Sequence, residues 1–300
     1  MTVLVVGATG RQGGATARAL LAAGVPVRAL VRDPEAPRAR EIAALGATLY
    51  RADLRDPASL TGAVAGVRGV FSVQMPAWNA DGSADFDDEL RQAVNLIDAA
   101  RDGGVPQFVH TSVSGAGRTA DVPGWAEGRW VPMEAVYRPK VAAAERVRAA
   151  GFPRWTILKP GFFMSNLHPD AAYLFPRGVE GGLATVLRPG THLSLVAVDD
   201  IGRAAAAAFI EPDRFHRVEL ELASDYLTMT EVAATLSRAL GVPVAAPDMT
   251  EAEALAAGMP PYAALSHEFL NVAGQPARPE FARALGIPLT SFETWARAAL

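Results

Sequence analysis

Two kinds of residue in this chain have types and spacing suited to chemistry: a glycine triplet near its start, and a pair of lysines in a chain that otherwise uses arginine. The triplet stands in the string Gly7-Ala8-Thr9-Gly10-Arg11-Gln12-Gly13-Gly14. Gly7 lets the chain turn. Gly10 removes a Cβ where a pyrophosphate approaches, and Gly13 and Gly14 let a helix sit close against a strand. The free N–H groups at the start of that helix then face the anion, and the helix dipole favours it. Of 28 basic side chains only Lys140 and Lys159 are lysines. A lysine kept against such a bias is a candidate for work that needs a compact ammonium, since the two cations are not interchangeable.

The triplet acquires meaning from the elements around it. Val3 to Val6 is a short β-branched run, apolar on both faces as a strand buried in a parallel sheet must be. A small-residue helix follows over Ala15 to Ala23, closed by Gly24, and Val27 to Val31 reads as a second strand. This strand–loop–helix–strand context predicts dinucleotide binding. A carboxylate at the end of the second strand would bond a 2′-hydroxyl and repel a 2′-phosphate. Here Val31 is followed by Arg32, which suits NADP better than NAD. Arg38 and Arg40 are placed to help, while Asp33-Pro34 opens the next helix. Gly69 to Gln74 is a fourth strand whose carboxyl end, Val73 and Gln74, falls where the sheet changes winding direction and ligands bind. The segment Pro76 to Ala84, with Trp78 and Gly82, reads as a mobile loop. Phe86, Leu90, Ala93, Ile97 and Ala100 form one apolar stripe of a long helix. Pro106 to Gly115 runs from a fifth strand into a loop with Ser112 and Ser114, and His110 inside that strand reads as structural.

The glycine spacing, G-x-x-G-x-x-G, resembles the short-chain dehydrogenase/reductase superfamily. The string Gly-Ala-Thr-Gly-Arg-Gln-Gly-Gly is similar to its atypical NmrA-like branch. That resemblance implies a Rossmann-type α/β fold: a doubly wound parallel sheet of order 3-2-1-4-5-6 with one added strand and a smaller C-terminal substrate lobe. It implies adenine contacts at Asp53 and Leu54 and a Thr/Ser pair beside the nicotinamide, with Ser112 donating to a substrate carbonyl. Lys140 matches the family lysine and is expected to clamp the nicotinamide ribose and to donate a proton. The classical Tyr-x-x-x-Lys is one residue short here, as Tyr137-Arg-Pro-Lys140. Pro139 favours a first helical turn, so Tyr137 is expected just before the helix, as a second candidate or a pocket-lining residue. Lys159 stands at a family arginine position. Pro160 and Phe163, in the exit from the sixth strand, join Gly7, Thr9, Gly10, Arg11, Gln12, Gly13, Arg32, Asp53, Leu54, Val73, Gln74 and Lys140 as expected cofactor contacts.

The rest of the chain bounds the reading. With 300 residues, half of them hydrophobic, a sizeable core is available. A formal charge of −4 argues against nucleic acid as a partner. Without cysteine there is no disulfide and no thiolate metal site, and the five scattered histidines suggest no metal site either. No apolar run reaches membrane-spanning length, and a chain starting directly on a strand is expected to be cytoplasmic, as a monomer or homodimer. Leu193 to Val198 reads as a last core strand, and Arg217 to Leu222 as a strand with one exposed face. Capping boxes are expected at Thr228–Glu231, Thr250–Glu253 and Thr290–Glu293. The expected division is a cofactor domain over 1–157 with 191–211 returning to it, and a substrate lobe over 158–190 and 212–300. NADP(H) is expected in the cleft, with Trp78, Trp125, Trp130, Tyr137, Phe162 and Phe163 around its outer half. The whole reads as an NADPH-dependent reductase of a small, apolar, planar conjugated substrate such as a quinone or enone. The alternative is a non-catalytic NADP(H)-binding redox sensor acting through a protein partner.

Overall fold

The computed structural model describes residues 2–79 and 84–300; Gly82 lies outside the described residues. The elements run β1 (Val3–Val5), α1 (Arg11–Ala22), β2 (Val27–Val31), α2 (Pro37–Ala44), β3 (Thr48–Arg51), α3 (Pro57–Val64) and β4 (Gly69–Ser72). A short antiparallel pair, β5 (Ala77–Trp78) and β6 (Ala84–Asp85), leads into α4 (Phe86–Asp102), β7 (Gln107–Thr111), α5 (Val131–Ala149) and β8 (Arg154–Pro160). Then come β9 (Phe162–Phe163), β10 (His192–Val196), α6 (Val198–Ile210), β11 (Val218–Leu222) and β12 (Asp225–Thr228). The C-terminal helices are α7 (Met229–Leu240), α8 (Glu251–Ala256), α9 (Pro261–Ala273), α10 (Pro279–Ala284) and α11 (Phe292–Ala299).

These elements form two compact units, Met1–Ala116 with Ala135–Lys159 and Ile201–Leu220, and Gly117–Glu134 with Pro160–Asp200 and Glu221–Leu300. In the first, a seven-stranded sheet has the order β3-β2-β1-β4-β7-β8-β11. It is the expected Rossmann-type order with one strand added. β1 lies between β2 and β4, both parallel to it, with Val3 opposite Val27 and Gly69. Val3, Leu4 and Val5 are all fully buried, because both faces of a parallel sheet are covered. Leu60, Val64, Leu96, Ile97, Phe108 and Val147 belong to one apolar core that joins α3, α4 and α5 to the strands.

The added strand is β11, not the stretch from Leu193. β10 instead belongs to a three-stranded sheet of the second unit, parallel to β9 and antiparallel to β12. The unit boundaries differ from the expected ones for that reason and two others. Residues 212–220 join the first unit, where Thr156 Oγ1 donates to the Phe215 carbonyl (2.8 Å) and Lys159 pairs with Glu219 (2.8 Å). Residues 117–134 join the second, where Trp130 Nε1 donates to the Pro123 carbonyl (2.8 Å) and the Trp130 ring meets Phe269 edge-on. Trp130 and Phe162 are therefore buried in that unit rather than set around a cleft; Phe162 packs with Leu195, Met229 and Phe292.

Thr228 and Thr250 open α7 and α8 with complete capping boxes. The third expected box is absent: Ser291 caps α11 by accepting from Thr294 N, while Thr290 donates from its backbone N (2.8 Å) and hydroxyl (3.0 Å) to Asp200. A buried carboxylate is the stronger acceptor.

Each unit also buries a neutral histidine. Burial, and to a smaller extent the Lys140 charge, pushes His110 down to about 3 from 6.5. Burial pushes His267, held by the Tyr173 and Thr185 hydroxyls, down to about 4 from 6.5. The unfolded chain binds these protons at higher pH than the folded one, so stability falls as pH drops below 6.5 and keeps falling to about 4 for His267 and about 3 for His110. His267 alone contributes roughly 3 kcal/mol to that loss. Denaturant melts from pH 7 to pH 4 should show it, and His267→Gln should flatten the slope; an unchanged slope would contradict the assignment.

Candidate functional site

The glycine loop leaves β1 at the point where the strand order reverses, between β1 and β4. Gly7 has φ +65°, and a Cβ on it would lie 2.9 Å from Val73 Cγ1. The loop closes on itself, with Gly10 N donating to the Gly7 carbonyl (2.8 Å). At Gly13 a Cβ would overlap the carbonyl groups of Gly7 and Val6, so only glycine lets α1 start there. Gly10, the N-cap of α1, offers no side-chain cap, and the first turn carries no acidic residue. Its N–H groups are thus left for an external anion. Gln12 Oε1 and Thr16 Oγ1, also in this helix, are buried and have no hydrogen-bond partner among the described residues. Thr9 is half-buried and Arg11 exposed beside them.

At the end of β2, Arg32 is exposed and makes no hydrogen bond or ion pair among the described residues. Arg40 is paired with Glu35 (2.6 Å) and so is less available. Arg51 lies opposite Val31 in the β2–β3 register and is exposed. After β3, Asp53 accepts from Arg55 N (2.9 Å), and Leu54 is buried. Asn95, on α4, donates to the Leu54 carbonyl (2.8 Å) and fixes this turn.

A second cluster sits at the carboxyl ends of β4 and β7. Gln74, Glu89, Ala93, His110, Thr111, Pro139, Lys140 and Ala143 line a cavity of about 10 Å³, room for about one water. Lys140 Nζ pairs with Glu89 Oε1, while Glu89 Oε2 is buried without a partner. Thr111 Oγ1 and Ser112 Oγ are likewise buried and unpartnered. The Ser72 hydroxyl joins His110 Nδ1 (3.1 Å) to Gln74 (3.1 Å to Nε2). His110 is neutral and internally bonded, a structural residue.

Tyr137 does not precede the helix. α5 runs unbroken through Pro139, whose missing N–H costs one helical hydrogen bond. Tyr137 and Lys140 are therefore three residues apart on one helix, close to one face, and Tyr137 is buried. Lys159 has different work: it bonds the Ala116 carbonyl (3.2 Å) and Glu219. The Arg148 hydrogen bond and then Lys159 hold Glu219 down to about 2, against burial. Pro160 and Phe163 belong to the second unit, buried and half-buried respectively.

Sequence reasoning named the glycine loop, Val73, Gln74, Ser112 and Lys140, touched Thr111 only through the expected Thr/Ser pair, and missed Glu89. Glu89 looked like one more acid in the helix-opening run Asp87-Asp88-Glu89. Its spacing of four from Ala93 was the available signal, because it sets Glu89 on the buried face.

The sequence profile of the NmrA-like family matches residues 1–271. The chain belongs to the NmrA-like family. Among its relatives in that family, an NAD(P)H azoreductase from Xenophilus azovorans is 34% identical over 242 residues, covering 81% of this chain and 75% of that protein. Quinone oxidoreductase 2 of Escherichia coli K12 is 29% identical over 260 residues, 85% of this chain and 80% of that one. The fold is also that of a Citrobacter sp. triphenylmethane reductase solved with NADP(H), at TM-score 0.81 and 22% identity, with all of both chains covered. Among the described residues no helix is long and apolar enough to cross a membrane, and no three His, Cys, Asp or Glu cluster as a metal site.

The loop yields a direct test. Gly13→Ala should lower stability by roughly 1–3 kcal/mol, the cost of overpacking against backbone, whereas Gly24→Ala, with open space around it but φ +72°, should cost less. Urea melts of both variants check this; equal losses would mean the close approach at residue 13 is not limiting.

Proposed function

We propose that this chain is an NADPH-dependent oxidoreductase that reduces a small, planar, conjugated substrate such as a quinone or enone. One observation carries the reading. An uncapped helix N-terminus and a set of buried, unpartnered hydroxyls stand on the same sheet, one at the exit of β1 and the other at the end of β7. Both fit a dinucleotide laid across the carboxyl ends of the strands. The family relatives whose names mention azo, quinone and triphenylmethane substrates support a flat, conjugated acceptor.

Gly7, Thr9, Gly10, Arg11, Gln12 and Gly13 would hold the diphosphate, and Arg32 the 2′-phosphate. Asp53 and Leu54 would border the adenine, and Val73 and Gln74 the middle of the cofactor. NADPH, when bound, supplies hydride. Lys140 clamps the ribose and provides the proton that balances that hydride, so a carbonyl substrate leaves as its alcohol or hydroquinone. Ser112 donates a hydrogen bond to the substrate oxygen as negative charge develops there. Tyr137 stands one turn from Lys140, as a pocket wall or second donor. We place the protein in the cytoplasm, where the reduced cofactor is available.

Turnover is read as loss of reduced-nicotinamide absorbance with a panel of quinones, enones and azo dyes. Lys140→Ala should cut kcat by about 100-fold or more with the fold intact by circular dichroism; unaltered kinetics would remove Lys140 from the mechanism. Arg32→Ala should raise KM for NADPH by about tenfold, the worth of one charge-assisted contact, and leave KM for NADH nearly unchanged. Equal losses for the two cofactors would show that Arg32 does not read the 2′-phosphate.

A further inference from the structure

The Lys140 ammonium is half-buried opposite a single carboxylate, and among the described residues that carboxylate has no other donor. Glu89 lies on α4 with only 7% of its side chain exposed, against 20% for Lys140. Its Oε1 takes Lys140, and its Oε2 has no donor. The carboxylate of the neighbouring acid, Asp88, is satisfied by three side chains, Arg55, Arg91 and Gln92. The Arg55 hydrogen bond holds Asp88 below the usual carboxylate range. Glu89 shares none of those donors. A desolvated carboxylate with one cationic partner is stable only while that partner keeps its charge and place.

We infer that Glu89 is a positioning residue for the reaction: it fixes the Lys140 ammonium at the cavity lined by Gln74 and Thr111 and makes its return to the charged form favourable after each proton is given up. This rests on the reading of Lys140 as proton donor. The step balances: the substrate takes hydride from NADPH and a proton from the Lys140 ammonium, and the neutral amine is reprotonated from solvent.

The groups facing Lys140 are few. Glu89 faces it from α4 and His110 from β7, while Tyr137 lies three residues before it on α5. The nearby Arg138 and Asp87 satisfy each other (2.7 Å) in solvent. His110 stays neutral down to about 3, so it does not titrate where the enzyme would work. A change in the alkaline half of the profile on altering Glu89 therefore reports the pair.

The experiment is kcat and KM against pH, with NADPH and a soluble naphthoquinone, for the native protein, Glu89→Gln, Glu89→Asp and Lys140→Met. For Glu89→Gln the alkaline limb of kcat should move down by about one pH unit or more. At pH values above both limbs kcat should fall about tenfold, with KM for NADPH changed by less than about threefold. Glu89→Asp keeps the charge but retracts it, so the limb should stay in place while kcat falls; this arm decides if the glutamine variant does not fold, and an unchanged kcat would overturn the inference. A Glu89→Gln profile superimposed on the native one, with Lys140→Met inactive, overturns the role of Glu89 and leaves that of Lys140 standing. Native turnover in Lys140→Met overturns both.

Discussion

The first turn of α1 lies so close to the loop leaving β1 that position 13 has no room for a Cβ. Much of the first unit follows from that contact. It brings uncapped N–H groups to the carboxyl end of the central strand, beside the point where the winding reverses. On the far side of the same helix, Gly202 of α6 meets the Ala15 backbone at 2.5 Å from a would-be Cβ. A helix with glycine contacts on two sides is fixed in position by backbone rather than by side-chain packing, which suits an element that must present N–H groups to a ligand.

The chain's two lysines show how one residue type does two jobs. Lys159 shares Glu219 with Arg148 and also donates to the Ala116 carbonyl, so the Glu219 carboxylate is amply satisfied and the group ties β8 to β11. Lys140 has a carboxylate to itself, at a cavity where Glu89 Oε2 and Thr111 Oγ1 have no partner among the described residues. The first arrangement resists change; the second has spare hydrogen-bonding capacity, which a bound hydroxyl or carbonyl can use. Counting lysines against arginines singled out both positions, but only their partners separate structure from chemistry.

The strand order and the glycine loop were legible because each depends on short-range pattern: β-branched runs, glycine spacing and the residue after β2. The NmrA-like family was legible for the same reason. What escaped depended on pairing across the chain. Leu193 to Val198 has a core strand's pattern, yet its neighbours are β9 and β12, and apolarity does not say which sheet a strand joins. Trp130 and Phe162 read as ligand-facing aromatics because nothing local reveals that Phe269, Tyr173 and His267 pack against them. Pro139 read as a helix start because a proline inside a helix costs a hydrogen bond, yet α5 carries it inside. Glu89 was hidden in an acidic run whose obvious use is to complement a helix dipole.

We propose that the uncapped N-terminus of α1 and the exposed guanidinium of Arg32 together bind a 2′-phosphorylated dinucleotide. Calorimetric titration of the protein with NADP⁺, NAD⁺ and 2′-phospho-adenosine diphosphate ribose tests it most directly. The account predicts micromolar binding of both 2′-phosphorylated ligands and markedly weaker binding of NAD⁺. No heat with any of the three at millimolar concentration, or equal affinity for NADP⁺ and NAD⁺, would contradict it.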